Sequence, residues 1–564
     1  MSEQHTPWRD RIDPVVFSVT GVIAIGFVVW GLVSTSSLGR ASSSAQDWVI
    51  TNTGWFFVLT SSFFVIFVIW LAASKYGRIP LGRDDEVPEF KTVSWIAMMF
   101  SAGMGIGLMF WGVAEPLSHY ASPPPGTAKA QSDEAFQTAM ATTMFHWALH
   151  PWAIYAVVGI AIAYGAFRKG RSRLISSAFL PLIGRKRAEG PIGRVIDILA
   201  IFATLFGSAA SLGLGALQIG SGLQFNGWVD DPGKIVLVAI IVVLTIAFIA
   251  SAVSGVAKGI QWLSNINMVL ALSLAAFVFI AGPTLLILNL LPTALGDYAT
   301  QMTEMASRTA ASGDDAMEDW LAGWTIFYWA WWVSWTPFVG MFIACISRGR
   351  TIRQFVTGVL IVPSLVSLVW FAVFGGTAID IQRKTGELVD SAGSVDTDSA
   401  LFAMLDQLPI APITTVLVMV LVGIFFVSGA DAASIVMGTL SEKGADEPSK
   451  RSVVFWGTVM GGVAAIMLVI GGDEALTGLQ QITIVAAVPF VLVMAALCVS
   501  LYKDLQTDPM VVRGRLGEEM VEEAVVTGVE EHDGEFVLVV EASAPSAPSA
   551  RTDETDETDK TDKD

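Results

Sequence analysis

Ser101-Ala102-Gly103-Met104-Gly105-Ile106-Gly107-Leu108-Met109-Phe110 sits inside an apolar run, about 94 to 114, that is long enough to cross a bilayer. Each of its three glycines costs about 1 kcal/mol against alanine in a helix interior. Spacing i, i+2, i+4 does not build one packing stripe, although Gly103 and Gly107 alone fit a small-xxx-small contact between helices. Backbone that leaves the helical pattern at membrane depth persists only where protein or a water-filled cavity surrounds it. The stretch therefore reads either as a close helix contact or as an unwound segment whose carbonyls meet a cation and whose amides meet an anion. The second reading is preferred.

The rest of the chain agrees with a membrane setting. Of 564 residues, 53% are hydrophobic and 15% charged, against about 25% charged in soluble domains. Apolar runs recur at about 14 to 34, 51 to 73, 94 to 114, 137 to 166, 195 to 222, 235 to 255, 263 to 291, 318 to 346, 355 to 378, 413 to 439, 452 to 471 and 477 to 502. These predict an all-α polytopic membrane protein with 12 transmembrane helices. The first run is too long for a signal-peptide core and ends in Leu38-Gly39-Arg40 without a cleavage site, so it reads as helix 1.

Charge fixes the expected orientation. Cytoplasmic loops are enriched in Lys and Arg, and a cytoplasmic N-terminus places most of the 33 basic residues on that side. The connection between runs 4 and 5 contributes most, with Arg168, Lys169, Arg171, Arg173, Arg185, Lys186, Arg187 and Arg194. Both termini are then cytoplasmic and the chain is multi-pass in the inner membrane. Most of the net charge of −18 comes from residues after Lys503 and says little about a partner in the membrane. Nothing in this balance points to nucleic acid. Cys345 and Cys498 lie in or beside apolar runs, which argues against a disulfide scaffold or a thiolate metal site. No nucleophile–base constellation marks an enzyme.

Two outer segments, about 293 to 318 and 380 to 407, are too polar to span. In the first, Met302, Met305, Ala306 and Ala310 share one side of a helical wheel, as in an amphipathic helix at the outer surface. The end of the tail, from Thr552, is an Asp/Glu/Thr run expected to be disordered.

Aromatic residues are placed as oddly as the glycines. Run 8 holds Trp324, Trp329, Trp331, Trp332 and Trp335, then Pro337; interface belts explain tryptophan at span ends but not in mid-span. Run 4 holds His146, Trp147, His150, Pro151, Trp152 and Tyr155. Aromatic faces turned to one another in a dry cavity attract a cation with no N–H to donate, and a quaternary ammonium is the usual guest. An aromatic core is the plainer reading. His146 and His150 stand at i, i+4 but lack the glutamate and third ligand of a zinc motif. Run 5 carries Thr204 and Ser208 on one face, then Ser211. Run 10 carries Phe425, Ser428, Gly429 and Asp431, and a carboxylate inside a span is a functional candidate.

The glycine run, its Ala114-Glu115-Pro116 end, the tryptophans of run 8 and the following Ser347-Arg348-Gly349-Arg350 resemble the betaine/choline/carnitine transporter family over roughly residues 13 to 502. The resemblance implies a leucine-transporter-like inverted five-helix repeat. Its segments would be a cytoplasmic N-terminus (1–13), two extra N-terminal helices (14–92), a first repeat (93–291), an outer amphipathic segment (292–317), a second repeat (318–502) and an acidic cytoplasmic tail (503–564). The family is typically a homotrimer. The substrate box would comprise Trp147, Trp152, Tyr155 and Trp332, with Phe110, Trp331 and Trp335 along the path to the cytoplasm. Amides near Gly103 and Gly105 and the Ser211 hydroxyl would face a substrate carboxylate.

One sodium site would use Thr204, Ser208 and Phe338. The other would use carbonyls of Ser101, Met104 and Phe425 with the Ser428 hydroxyl. Gly429 stands where sodium-coupled relatives often carry a hydroxyl, which makes Asp431 a supporting group. Gly107 is the coupling determinant, since proton-coupled choline carriers tend to place Asp there. The expected function is sodium-coupled uptake of glycine betaine or a similar trimethylammonium zwitterion, with membrane lipids as surroundings and no cofactor beyond the coupling ions. Choline, carnitine or dimethylsulfoniopropionate transport, proton-coupled in some versions, is the alternative.

Overall fold

The computed structural model describes residues 8–103, 105–254, 257–471, 475–532 and 535–539. Every one of the twelve apolar runs is helical along most of its length. The helices are α1 (Pro14–Val33), α2 (Thr35–Ala73), α3 (Thr92–Gly103), α4 (Ile106–Ala121), α5 (Asp133–Trp147), α6 (Leu149–Ala163), α7 (Pro191–Phe225) and α8 (Lys234–Ser254). Then come α9 (Ala257–Ala281), α10 (Thr284–Ala306), α11 (Phe327–Cys345), α12 (Ile352–Thr385), α13 (Ala411–Ser441), α14 (Lys450–Ile470), α15 (Ala475–Gln506) and α16 (Pro509–His532). Among the described residues the only strand-like pairing is a single bridge between Pro80 and Thr351.

Among the described residues, nine helical stretches are long and apolar enough to cross a membrane, and the bent pair α9–α10 makes a tenth. The exposed surface argues the same way. Only 17% of the apolar window of α8 is buried, and Ile235, Val243 and Ile246 stand out from it. Such a surface suits hydrocarbon and not water. The protein is a polytopic helical membrane protein. Twelve spans and an inverted repeat remain the finer expectation.

One helical run is bent where sequence reading drew it straight, and another, expected to kink at Pro151, breaks three residues earlier. The run expected to reach residue 291 turns by 109° at Gly282-Pro283, because Pro283 has no N–H to continue the ladder of α9. Residues 284–291 thus belong to the amphipathic helix α10, on which Met305 is buried. The run at 137 to 166 is also two helices, broken at Ala148 (φ −102°, ψ −110°), with Pro151 in the first turn of α6.

The loops that share a side under the charge rule also meet in space. Arg168 pairs with Asp84 at 2.9 Å, Arg171 with Asp504 at 2.5 Å, Arg194 with Asp13 at 3.0 Å and Arg348 with Glu86 at 2.6 Å. Asp13 also caps α1 through the amides of Val15 and Val16. These amides and Arg194 hold its carboxyl below the usual range despite partial burial. At the other end, Arg383 pairs with Asp133. The chain divides into two compact units at Leu505/Gln506. The second contains α16, whose Gly528 lies beneath the ring of Phe536. Residues 540–564, where the disordered end was expected, lie outside the described residues.

Candidate functional site: an aromatic cage beside a helix break

The glycine run does interrupt its helix. α3 ends at Gly103, and α4 starts at Ile106 behind an extended Gly105 (φ −171°, ψ −176°). Around that break the tryptophans of α11 meet those of α5 and α6. Trp147, Trp152, Tyr155, Trp331, Trp332 and Trp335 line one cavity of about 50 Å³ together with Gly105, Gly107, Leu108, Pro151, Val339 and Ser367. This leaves room for a few water molecules.

The rings are set by contacts from several helices. Trp331 and Trp332 stack with centroids 4.7 Å apart at 15°, and Trp147 stands edge-on to Trp332 at 4.9 Å. Trp152 and Tyr155 are edge-on at 5.4 Å. Four of the indole N–H groups are spent on protein acceptors: Trp147 on Glu115 Oε2 (2.6 Å), Trp331 on Ser211 Oγ (3.1 Å), Trp332 on the His146 carbonyl (3.0 Å) and Trp335 on the Gly207 carbonyl (2.9 Å). At these four positions the cage offers ring faces and edges, not donors. Gly107 is where backbone approaches rings: a Cβ there would stand 2.8 Å from Trp331 Cη2 and 2.9 Å from Trp147 Cη2.

A second cavity of about 200 Å³ shares Gly105, Trp335 and Val339 with the first and continues to Phe342, toward the end of α11 that leads to Arg348. Ser208, Ser211, Phe338, Phe425, Ser428 and Gly429 line it. Thr204 lies one turn below Ser208, fully buried, with its hydroxyl on the Ala200 carbonyl at 2.9 Å. Ser428 donates to the Ile424 carbonyl at 2.9 Å. Both oxygens keep lone pairs for a hard cation, which takes oxygen ligands. The Ser211 hydroxyl donates to the Gly207 carbonyl at 3.3 Å, so a bound carboxylate would have to draw that proton away.

Not every expected residue lines these cavities. Phe110 packs edge-on against Trp111 at 4.9 Å and lines neither cavity. Asp431 is buried with Oδ2 unpartnered among the described residues and is likewise absent from both walls. Gly103 ends α3, while Met104 and the side chain of Ser101 lie outside the described residues.

Sequence reading missed Ser367, Asn267 and Met268 as lining residues, and it missed Glu115. That carboxylate is fully buried and, with His119 and His146, offers ligand atoms within 4.8 Å of one another. Its Oε1 lies 2.7 Å from His146 Nδ1, a hydrogen-bond distance too short for two ligands of one tetrahedral zinc ion at about 2 Å each. His150 faces elsewhere, stacked on Trp329 at 4.9 Å, because the break at Ala148 ends the i, i+4 register.

Residues 15–510 match the model of the betaine/carnitine/choline family transporters. The chain belongs to the betaine/carnitine/choline transporter family. It is 47% identical over 530 residues to the betaine/ectoine transporter LcoP of Corynebacterium glutamicum, covering 94% of this chain and 84% of that one. It is 44% identical over 493 residues to the glycine betaine transporter OpuD of Bacillus subtilis, covering 87% and 94%. Over 506 residues it is 42% identical to glycine betaine transporter 1 of Vibrio parahaemolyticus, covering 89% and 95%. The chain is thus a transporter of this family and not an enzyme. A family built to move small onium solutes is consistent with a cage that presents ring faces.

Proposed function

We propose that the chain carries out sodium-coupled uptake of glycine betaine, or a similar trimethylammonium zwitterion, by alternating access in the cell membrane. The observation that carries this reading is the convergence of Trp147, Trp152, Tyr155, Trp331, Trp332 and Trp335 on one cavity beside the break at Gly105. Methylated nitrogen has no hydrogen to donate, so ring faces recognise it, each worth about 0.5 to 2 kcal/mol. The amides at the break suit the carboxylate at the other end of the solute.

Sodium is favoured because Ser208, Phe338, Phe425 and Ser428 border the adjoining cavity, and because Gly107 offers no proton carrier. A zwitterion has no net charge, so the membrane potential acts on its companions. Two sodium ions crossing 100 mV supply about 4.6 kcal/mol, enough for a solute gradient of about 10³. The charge rule puts the basic end of the bundle, and both termini, in the cytoplasm. On that orientation the cavity reaching Phe342 extends toward the cytoplasmic side. The homotrimer and the inverted repeat follow from family resemblance.

A wider substrate range is a second reading, since the Corynebacterium relative is a betaine/ectoine transporter. Uptake of radiolabelled glycine betaine into proteoliposomes, with and without sodium and with choline, carnitine, dimethylsulfoniopropionate or ectoine as competitor, decides between them. Saturable accumulation that persists without sodium would remove the coupling assignment.

A further inference from the structure

Glu115 lies on α4 about two turns beyond Gly107. It is fully buried, and its surroundings are aromatic. Its Oε2 accepts two hydrogen bonds, from Trp147 Nε1 at 2.6 Å and Tyr328 OH at 2.5 Å. Its Oε1 meets His146 Nδ1 at 2.7 Å and lies 3.5 Å from His119 Nε2. The direction of the first bond is fixed, since an indole nitrogen only donates.

The network continues outward from the carboxyl group. His146 Nε2 reaches Thr325 Oγ1 at 2.9 Å, in the π-helical turn Ala322–Ile326 that leads into α11. The His146 carbonyl accepts from Trp332, and the Trp147 carbonyl accepts from Ser367 at 3.1 Å. α4, which lines the cage through Gly107 and Leu108, is thus tied at one carboxyl group to α5 and α11, which supply cage rings. Tyr328 also packs against Trp147 at 5.6 Å and lies parallel to Trp332 at 5.8 Å. In a dry site such hydrogen bonds are strong and their loss leaves buried groups unsatisfied.

Resting on the cage reading above, we infer that Glu115 is a positioning residue for substrate recognition: it never touches the solute but fixes the planes of Trp147 and Tyr328 that shape the cage. Glu115→Ala frees the Trp147 indole to turn about its two side-chain torsions and leaves its N–H unpaired. Glu115→Gln keeps one oxygen that can accept from both Trp147 and Tyr328, and its amide nitrogen can donate to a neutral His146. The two variants therefore separate ring positioning from charge.

The test uses the full-length chain in proteoliposomes, with sodium-driven uptake of radiolabelled glycine betaine and near-ultraviolet circular dichroism of the tryptophans. Glu115→Ala is expected to raise KM about tenfold or more, with Vmax per folded transporter much less affected and the aromatic dichroism reduced. Glu115→Gln is expected to restore both KM and dichroism toward the wild type. A wild-type KM in folded Glu115→Ala, while Trp332→Leu raises KM, overturns the inference and leaves the cage standing. If Glu115→Ala does not fold, Glu115→Asp, which withdraws the carboxylate by one methylene, takes its place, and a wild-type KM there overturns it equally. No saturable uptake by the wild-type chain would sink the substrate reading instead, and the dichroism of the Glu115 variants would still decide whether the carboxylate sets the rings.

Discussion

Gly107→Ala adds a single methyl group to the point where α4 meets the cage. The new Cβ would stand 2.8 Å from Trp331 Cη2 and 2.9 Å from Trp147 Cη2, well inside van der Waals contact at about 3.5 Å or more. Neither ring tip is the free end of a flexible chain, because both indoles are hydrogen-bonded through their nitrogens. The rings must retreat by several tenths of an ångström, and the nearest open volume is the cage cavity of about 50 Å³. Overpacking of this kind costs about 1 to 3 kcal/mol; expressed against the bound solute, that is about 5- to 150-fold in affinity. Alanine also recovers up to about 1 kcal/mol of helix propensity, so thermal stability should change little. The assay pairs uptake kinetics with melting of the purified protein. Gly159→Ala is the control, since its Cβ would be equally crowded, 2.8 Å from Phe355 Cζ and 2.9 Å from Ile343 Cδ1, against side chains that do not line the cage. Gly107→Ala should raise KM, and Gly159→Ala should lower only stability. If folded Gly107→Ala transports with a KM within twofold of wild type, the rings do not depend on this approach and the steric reasoning fails.

Trp332→Leu should weaken uptake by about 2- to 30-fold, as loss of one cation–π face implies, with expression intact; unchanged kinetics would take Trp332 out of the site. Gly429→Ser adds a hydroxyl where a Cβ meets nothing within 4 Å, so it should fold normally and lower the sodium concentration for half-maximal uptake, and a higher requirement would contradict the ligand role. Ser208→Ala should raise the sodium requirement several-fold without changing betaine KM at saturating sodium, as read from sodium titrations of uptake. Ser211→Ala should weaken binding of glycine betaine about tenfold and competition by choline, which has no carboxylate and feels only the loss of the Trp331 tether, by less; equal losses for both would break the link to the carboxylate.

The parts of this protein that were legible in its sequence were those where a residue type conflicts with its surroundings. Glycines at 103, 105 and 107 are poor helix formers in mid-span, and the helix is interrupted there. Tryptophans away from the interfaces had no lipid-facing explanation, and they line a cavity. Loop charge grouped the connections that share ion pairs at one end. What stayed hidden depends on backbone direction. The 109° turn at Gly282-Pro283 left the apolar run continuous, so no hydropathy change marked it. The break at Ala148 is a matter of one ψ angle next to a residue with no special preference. Glu115 was visible as a charge at the end of an apolar run, and the rule that singled out Asp431 applied to it equally. Its importance needed the partners from α5 and α11, which sequence spacing does not reveal.

Because each tethered indole in the cage borrows its acceptor from a neighbouring segment, the pocket has no shape of its own. Trp335 and Trp331 answer to α7, Trp332 and Trp147 to α5 and α4. Sliding any of these helices by a fraction of a turn would tilt an indole and loosen its grip before any gate had opened. Capture and release of the solute would then be two readings of helix position, with no separate trigger required at the ligand itself.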